Sequence, residues 1–551
     1  MHGVGASAGW VAGPVVRVNP APGVDPDESG CRDPEAGQAR VAEAMAATAA
    51  ELRREAAATR GQVTDILDAT ARLAEDPALL AQIRRHLDSG RGVTAAVHAA
   101  VEDLIGLGGF LAERATDLHD IRDRVTARLR GLPTPGPPAL SFPAVLVADR
   151  LAPATLSRVD RGYVLGLVTR GGGPTDHTAT VAAQMSVPTV VQVRDAGELR
   201  EGATVALDGT TGTIVVNPSH AEIDEQHTRR RRRAALPSSI SGPGATADGH
   251  PVAVLANVNG LDDMKAAQEV SAVGTGLYRT EFLYLDRLRP PSLKEQTEYY
   301  TALFDAHPDG AIVTARTLDV GGDKPLGYLA QSGEINPALG SRGIRLAMRH
   351  PELLETQLVA LAQAQERSRV KLRVMAPMLS TIEETEIFLG VARQAGLNSV
   401  GVLLETPAAA IKAGQLLADA DFASIGVNDL TQYTMAADRL DGSLAHLLDP
   451  WQPAVLALVS WAARAAGETH TPLGMCGEAV SEPLLALVYA GMGATSLSMV
   501  PSRIPAVRTA LAHHDLDTCQ AMAQAALNAR TATEAHQAAF ALADPIIRDL
   551  D

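Results

Sequence analysis

The chain of 551 residues carries 48 Lys and Arg against 64 Asp and Glu, a net charge of −16, which argues against non-specific nucleic-acid binding because a polyanion would meet an acidic surface. Hydrophobic residues make up 46% but aromatics only 3%, so the cores must be built from Ala, Val, Leu and Ile, and a chain this long exceeds one core. Cys31, Cys476 and Cys519 are too few and too far apart for a disulfide framework, which fits a reducing compartment.

The start Met1-His2-Gly3-Val4-Gly5 lacks the basic and long apolar segments of a signal peptide, and no apolar run reaches spanning length. A cytoplasmic protein without membrane insertion is expected. Residues 4–18 place Val11, Val15, Val16 and Val18 among small residues and predict one or two short strands with a turn at Gly13-Pro14. Asn19 to Pro34 reads as a loop. From Glu35 to Leu129 long Ala, Leu, Glu and Arg runs predict packed helices, broken near Asp76-Pro77, Ser89-Gly90 and Gly106 to Gly109. Such an insertion is either structural or a helical face for a protein partner.

Strand signals return at Ala144 to Ala148, Tyr163 to Thr169, Thr189 to Val193, Thr204 to Asp208 and Gly212 to Val216. With the N-terminal strands they predict an α/β domain of residues 1–20 and 140–217, with a helical domain of residues 35–130 inserted into it. Inside it, Gly171-Gly172-Gly173-Pro174-Thr175-Asp176-His177 describes a tight turn leaving a strand and entering a helix. His177 near a helix start, where unpaired N–H groups favour an anion, is placed either to carry a phosphoryl group or to be satisfied by local hydrogen bonds.

Residues 218–249 read as a linker, a charged helix followed by a flexible connection. Its five arginines, Arg229 to Arg233, are flanked by Glu222, Asp224 and Glu225, and are read as a solvated face rather than a nucleic-acid patch. Residues 250–551 are read as one further domain, in which residues 251–505 repeat strand, turn and helix. Candidate strands are Val252 to Asn257, Gly274 to Leu277, Ile312 to Thr317, Leu372 to Pro377, Ser399 to Leu404, Phe422 to Gly426, Leu473 to Cys476 and Ser496 to Met499. Eight strands over about 250 residues is the cadence of a (β/α)8 TIM barrel, whose active site lies at the strand C-termini. Residues 506–551 finish as helices.

The residues after those strands share a purpose. Arg279, Arg316, Arg342, Arg345 and Arg439 offer planar donors for carboxylate and phosphate oxygens. Asp319, Asp323 and Lys324 occupy one turn. Glu405 and Asp429 are hard oxygen donors of the kind Mg2+ takes, and Asn428 stands beside them. A small substrate with both a carboxylate and a phosphate would use the whole set. Cys476 is either a packing thiol or, with a near-neutral pKa, a proton donor to an enolate carbon.

These residues fall in long motifs: GTGLYRTEFLYLDR ending at Arg287, RTLDVGGDKPL at 316–326, NPALGSRGIR at 336–345, VLLETPAA at 402–409, SIGVNDLTQYTMAADR at 424–439 and MCGEAVSEP at 475–483. With the His177 region and the helical insertion they make the whole chain resemble the phosphoenolpyruvate-protein phosphotransferases, enzyme I of the bacterial sugar phosphotransferase system. The resemblance implies a swivelling phosphohistidine α/β domain, an inserted helical domain that docks the phosphocarrier protein HPr, and a phosphoenolpyruvate-binding barrel that forms a homodimer. It implies His177 as phosphoryl acceptor, Arg279, Arg316, Arg342 and Arg439 neutralising substrate, and Asn428 holding phosphate. Glu405 and Asp429 would hold Mg2+, and Cys476 would protonate C3 as pyruvate forms.

Against that pattern, Asp176 stands for a serine, Thr180 for an isoleucine, Ala183 for an arginine and Ser186 for a glycine, while Val427 replaces a threonine and Leu440 an asparagine. The aspartate and the missing arginine weaken the positive field expected around a phosphohistidine. Two other readings follow: a non-catalytic or regulatory relative, and a relative of phosphoenolpyruvate synthase or pyruvate phosphate dikinase. The latter would require a nucleotide-binding domain that the first 140 residues do not encode.

Overall fold

A computed structural model of the chain describes residues 1–550 apart from 8, 19–21, 26–27, 29, 58–61, 107–113, 133–135, 137–139, 152–155, 157–161, 174–176, 186, 210–211, 225–227, 229–241, 285–286, 288, 322–325, 327, 330–333, 335 and 440–441. Asp176, Ser186, Asp323, Lys324, Leu440 and the arginine run therefore lie outside the described residues. The chain divides into two compact units, Met1–Glu225 and Gln226–Asp551.

In the first unit, strands β1 (Val4–Ser7), β2 (Trp10–Arg17), β3 (Ala144–Ala148), β4 (Val164–Thr169), β5 (Thr189–Val191), β6 (Thr204–Asp208) and β7 (Thr213–Val216) form one sheet in the order β1-β5-β4-β3-β2-β6-β7. Strands β2 to β5 run parallel, while β1, β6 and β7 join antiparallel. Alternation along the strands builds a core on each face, with Val16, Leu146 and Val181 on one and Val15, Val145 and Val147 on the other. The turn expected at Gly13-Pro14 is not there; both residues lie within β2. Trp10 to Pro14 pair with β6 and Val15 to Arg17 with β3, so proline falls where the ladder changes partner and its missing N–H costs least.

The helical insertion between β2 and β3 contains helices Pro34–Ala57, Gln62–Ala74, Pro77–Asp88, Val93–Gly106 and Ala115–Leu129. Their core stripe begins Val41, Met45, Ala49, Leu52 and Ala56, the spacing of one helix face. Asp76 caps the helix that begins at Pro77, as the Asp-Pro break predicts. Arg124 is buried in this bundle, held by Asp120 and Glu55 at 2.8 and 3.2 Å.

The second unit is a closed barrel of eight parallel strands: β8 (Ala253–Val258), β9 (Gly274–Arg279), β10 (Ile312–Arg316), β11 (Lys371–Ala376), β12 (Val400–Leu404), β13 (Phe422–Gly426), β14 (Leu473–Cys476) and β15 (Ser496–Met499). Closure is between β15 and β8. Leu277, Met375, Leu403, Phe422 and Cys476, each from a different strand, form one small buried cluster, while the alternate strand residues join the larger core that includes the surrounding helices. Ser292 and Thr381 begin helices Leu293–Asp305 and Ile382–Gln394 with reciprocal caps from Glu295 and Glu384.

Candidate active site

Strand ends deliver most of the expected residues to one rim. Arg279 ends β9 and is the register partner of Arg316, which ends β10. Glu405 follows β12, and Cys476 ends β14 opposite Gly426 of β13. Asn428 and Asp429 occupy the first turn of helix Val427–Met435 directly after β13.

The charged groups alternate in a row. Arg316 reaches Glu281 at 2.6 Å and Asp319 at 2.8 Å. Asp319 also accepts from Arg342, through Nε at 2.9 Å and Nη2 at 3.0 Å. Arg342 turns its other edge to Asp429, donating from Nη1 at 2.7 Å and Nη2 at 3.1 Å. Asp429 in turn lies 3.7 Å from Arg439. All but Arg439 are buried. Burial works against the charge of Arg316 and of Arg342, yet the carboxylates on either side outweigh it and hold both firmly protonated. Arg345 lies apart from the row, with Gly340 and Ser380 as partners.

Sequence reasoning missed Glu281 and Tyr433. Glu281 is fully buried and holds Arg316; the signal was a carboxylate two residues after Arg279 in a strand-end motif. The Tyr433 hydroxyl donates to Ala338 at 2.6 Å and accepts from Arg342 at 3.3 Å, tying the 336–345 segment to the helix that carries Asp429.

Glu405 accepts the Met378 N–H at 2.7 Å. Burial, followed by the negative charge of Asp429 and Asp319, pushes its carboxyl up to about 8. Gly426 is required beside it, since a Cβ there would stand 2.6 Å from Glu405 Oε2. Asn428 accepts the Glu478 N–H at 3.1 Å, and Gly477, at φ +131°, leaves the room Asn428 needs. Among the described residues no three His, Cys, Asp or Glu side chains converge to hold a metal ion by themselves. Glu405, which has no arginine bonded to it, and Asp429 are instead a pair of hard oxygen donors that would hold a divalent cation together with substrate and water oxygens.

Cys476 departs from its expected near-neutral pKa. Burial pushes the thiol up to about 11, against the lowering effect of a 3.5 Å hydrogen bond from Ser424 and of Arg316 and Arg279. It is protonated at neutral pH and suited to donating a proton rather than attacking as a thiolate. His177 is the first residue of helix His177–Gln184 in the other unit, following the glycines that leave β4.

The row carries two expectations. Arg342→Met removes the cation between Asp319 and Asp429, leaving Asp319 with Arg316 alone and Asp429 with the more distant Arg439, at a cost of about 3 kcal/mol, read as a lower denaturation midpoint of the barrel unit. Glu405 keeps its proton when folded and loses it when unfolded between its ordinary value of 4.5 and about 8. Stability of the metal-free protein therefore falls as pH rises through that window. Urea midpoints at about pH 5 and about pH 8 should show a smaller fall for Glu405→Gln than for the wild type.

Three family models match in chain order: PEP-utilising enzyme N-terminal at residues 2–107, its mobile domain at 140–212 and its PEP-binding domain at 235–516. The phosphoenolpyruvate-protein phosphotransferase of Streptomyces coelicolor is 44% identical over 549 residues, covering 98% of this chain and 99% of that protein. That of Bacillus subtilis is 32% identical over 566 residues, covering 97% and 98%. That of Haloferax volcanii is 37% identical over 521 residues, covering 90% and 91%. With the alternating charges at the barrel rim and a histidine at the start of the helix that follows β4, these matches make the chain a member of the PEP-utilising enzymes, closely related to the phosphoenolpyruvate-protein phosphotransferases.

Proposed function

We propose that the chain moves the phosphoryl group of phosphoenolpyruvate to His177 and then to a histidine of the phosphocarrier protein HPr, releasing pyruvate as the first step of sugar uptake by a phosphotransferase system in the cytoplasm. The observation that carries this reading is the buried row from Glu281 to Asp429, in a chain 44% identical from end to end to a phosphoenolpyruvate-protein phosphotransferase. Arg316 Nε is buried with no hydrogen-bond partner among the described residues, a donor kept for an anion.

The substrate is a small polyanion. Arg279, Arg316, Arg342 and Arg439 outnumber the carboxylates of Glu281, Asp319 and Asp429 by one while Glu405 keeps its proton, and equal the four carboxylates once Glu405 ionises, so the arginines alone leave little surplus charge for it. Glu405, giving up its proton, and Asp429 would hold Mg2+, which would supply the charge that neutralises substrate oxygens. Arg279, Arg316 and Arg439 receive the carboxylate and phosphate, Arg342 keeps Asp429 oriented, and Asn428 donates to the phosphate. In the transfer a bond forms between an imidazole nitrogen of His177 and phosphorus. The bond between phosphorus and the enol oxygen breaks, leaving the enolate of pyruvate. Cys476 then gives its proton to C3, and solvent returns one to the sulfur. The helices of residues 35–130 offer the face for HPr, and the linker 218–249 lets one histidine serve the barrel and the carrier in turn.

Incubation with phosphoenolpyruvate and Mg2+ should add one phosphoryl mass to the wild type and none to His177→Ala, with HPr removing it. Cys476→Ala should still accept the phosphoryl group while releasing pyruvate about 10²–10⁴ times more slowly. Absence of any adduct and of pyruvate would favour the regulatory reading. The reading also includes a homodimer through the barrel unit; sedimentation of residues 250–551 at one monomer mass over the micromolar range would rule that out.

A further inference from the structure

A phosphoryl group on His177 brings close to two negative charges, and they need a partner. Between Gly171 and Val193 the sequence has no lysine or arginine at all, and Asp176 precedes the histidine. The cation has to come from another segment, and the fold brings up one candidate. Strand β3 ends beside β4, so residues 149–151 run along the loop that carries His177. The Gly171 N–H donates to Asp149 O at 2.9 Å, and the Thr178 hydroxyl donates to Leu151 O at 2.5 Å, one contact on each side of the histidine. Between them Arg150 packs on Gly171, where an added Cβ would stand 3.2 Å from its Nε.

Two arginines adjoin the loop, and their surroundings separate them. Arg170 faces a carboxylate, Asp149, at 3.9 Å. Arg150 instead meets an imidazole, with Nη1 2.6 Å from His119 Nδ1. His119 belongs to the helical insertion, and its Nε2 lies 3.1 Å from Glu102. An imidazole that accepts from Arg150 on one nitrogen carries its own proton on the other and donates it to Glu102, so the ring is neutral. Burial and the positive charges of Arg122 and Arg150 likewise hold the His119 pKa down. Arg150 is thus aimed by a neutral contact; its charge also opposes the burial that raises the pKa of Asp123 in the helical insertion, with no ion pair to it among the described residues, and can still serve an anion.

We propose that Arg150 is the residue that binds the phosphoryl group on His177, standing in for a cation the histidine loop itself lacks. The proposal rests on His177 being the phosphoryl acceptor. It also makes the helical insertion a participant, because His119 sets where the guanidinium sits.

The test is the equilibrium between phosphoenolpyruvate plus free protein and pyruvate plus phosphoprotein, measured by intact mass at fixed Mg2+. Arg150→Ala should lower the equilibrium constant about fivefold, the scale of a partly exposed charge-assisted contact, and should leave KM for phosphoenolpyruvate unchanged. Arg150→Lys should recover most of it, and Arg170→Ala should match the wild type. A merely structural role through His119 would lower the melting temperature of the N-terminal unit without moving the equilibrium, and that result overturns the proposal. So does an effect confined to Arg170→Ala. Wild type that takes up no phosphoryl group overturns the assignment of His177 as well, whereas normal uptake by both wild type and Arg150→Ala at the same equilibrium overturns the role of Arg150 alone.

Discussion

The barrel rim depends on Arg342, because one guanidinium uses both of its edges. One edge grips Asp319 and the other Asp429, and each carboxylate passes the constraint to a further arginine. The order of charges from Glu281 to Arg439 is therefore strictly alternating, which is how a buried ionic cluster offsets its desolvation: each charge inside the row sits between two of the opposite sign. A row built this way also has a defined spacing. Loops after β9, β10 and β13, which share no backbone hydrogen-bond ladder beyond their strands, are held in register by side chains.

Burial gives the same cluster its reactivity. Glu405 sits beside Asp429 and Asp319 with no guanidinium bonded to it in the same bidentate way, and its raised pKa records that shortage of positive charge. Cys476 is shifted in the same direction for the same reason, an anion in a dry, already anionic place. A thiol with a pKa of about 11 is a weak acid by protein standards but a strong one beside the C–H that an enolate carbon forms. In place of the near-neutral thiol expected from the sequence stands one that stays protonated at neutral pH, which suits the proton-donor role proposed for it.

Much of this was legible beforehand. Barrel strands read correctly because buried parallel strands are short apolar runs bounded by turns, as at Phe422 to Gly426 and Leu473 to Cys476, which match residue for residue. The position of the rim residues was legible because Glu405, Asn428, Asp429 and Cys476 stand directly at or after short apolar strands, and the barrel gathers strand ends on one rim. Gly13-Pro14 misled because its turn signal is local, whereas its place in β2 depends on which neighbour each residue pairs with, and that is decided by a strand about 190 residues away. Glu281 and Tyr433 escaped for a related reason: their roles are defined only by the arginines that the fold brings to them.

The two units treat the phosphoryl group in opposite ways, and the chemistry explains why. At the barrel a transition state must be stabilised, which calls for many fixed, buried charges that hold substrate oxygens closely. At His177, on the proposed reading, a phosphoryl group must be held only long enough to be passed on. A buried arginine there would deepen the intermediate and slow its departure, since binding that stabilises a carrier state equally opposes leaving it. A single exposed cation such as Arg150, worth little in free energy but fixed in direction by His119, orients the group without trapping it. The loop without lysine or arginine from Gly171 to Val193 then fits transfer onward rather than opposing it, and the weak positive field around the histidine becomes a property the relay needs.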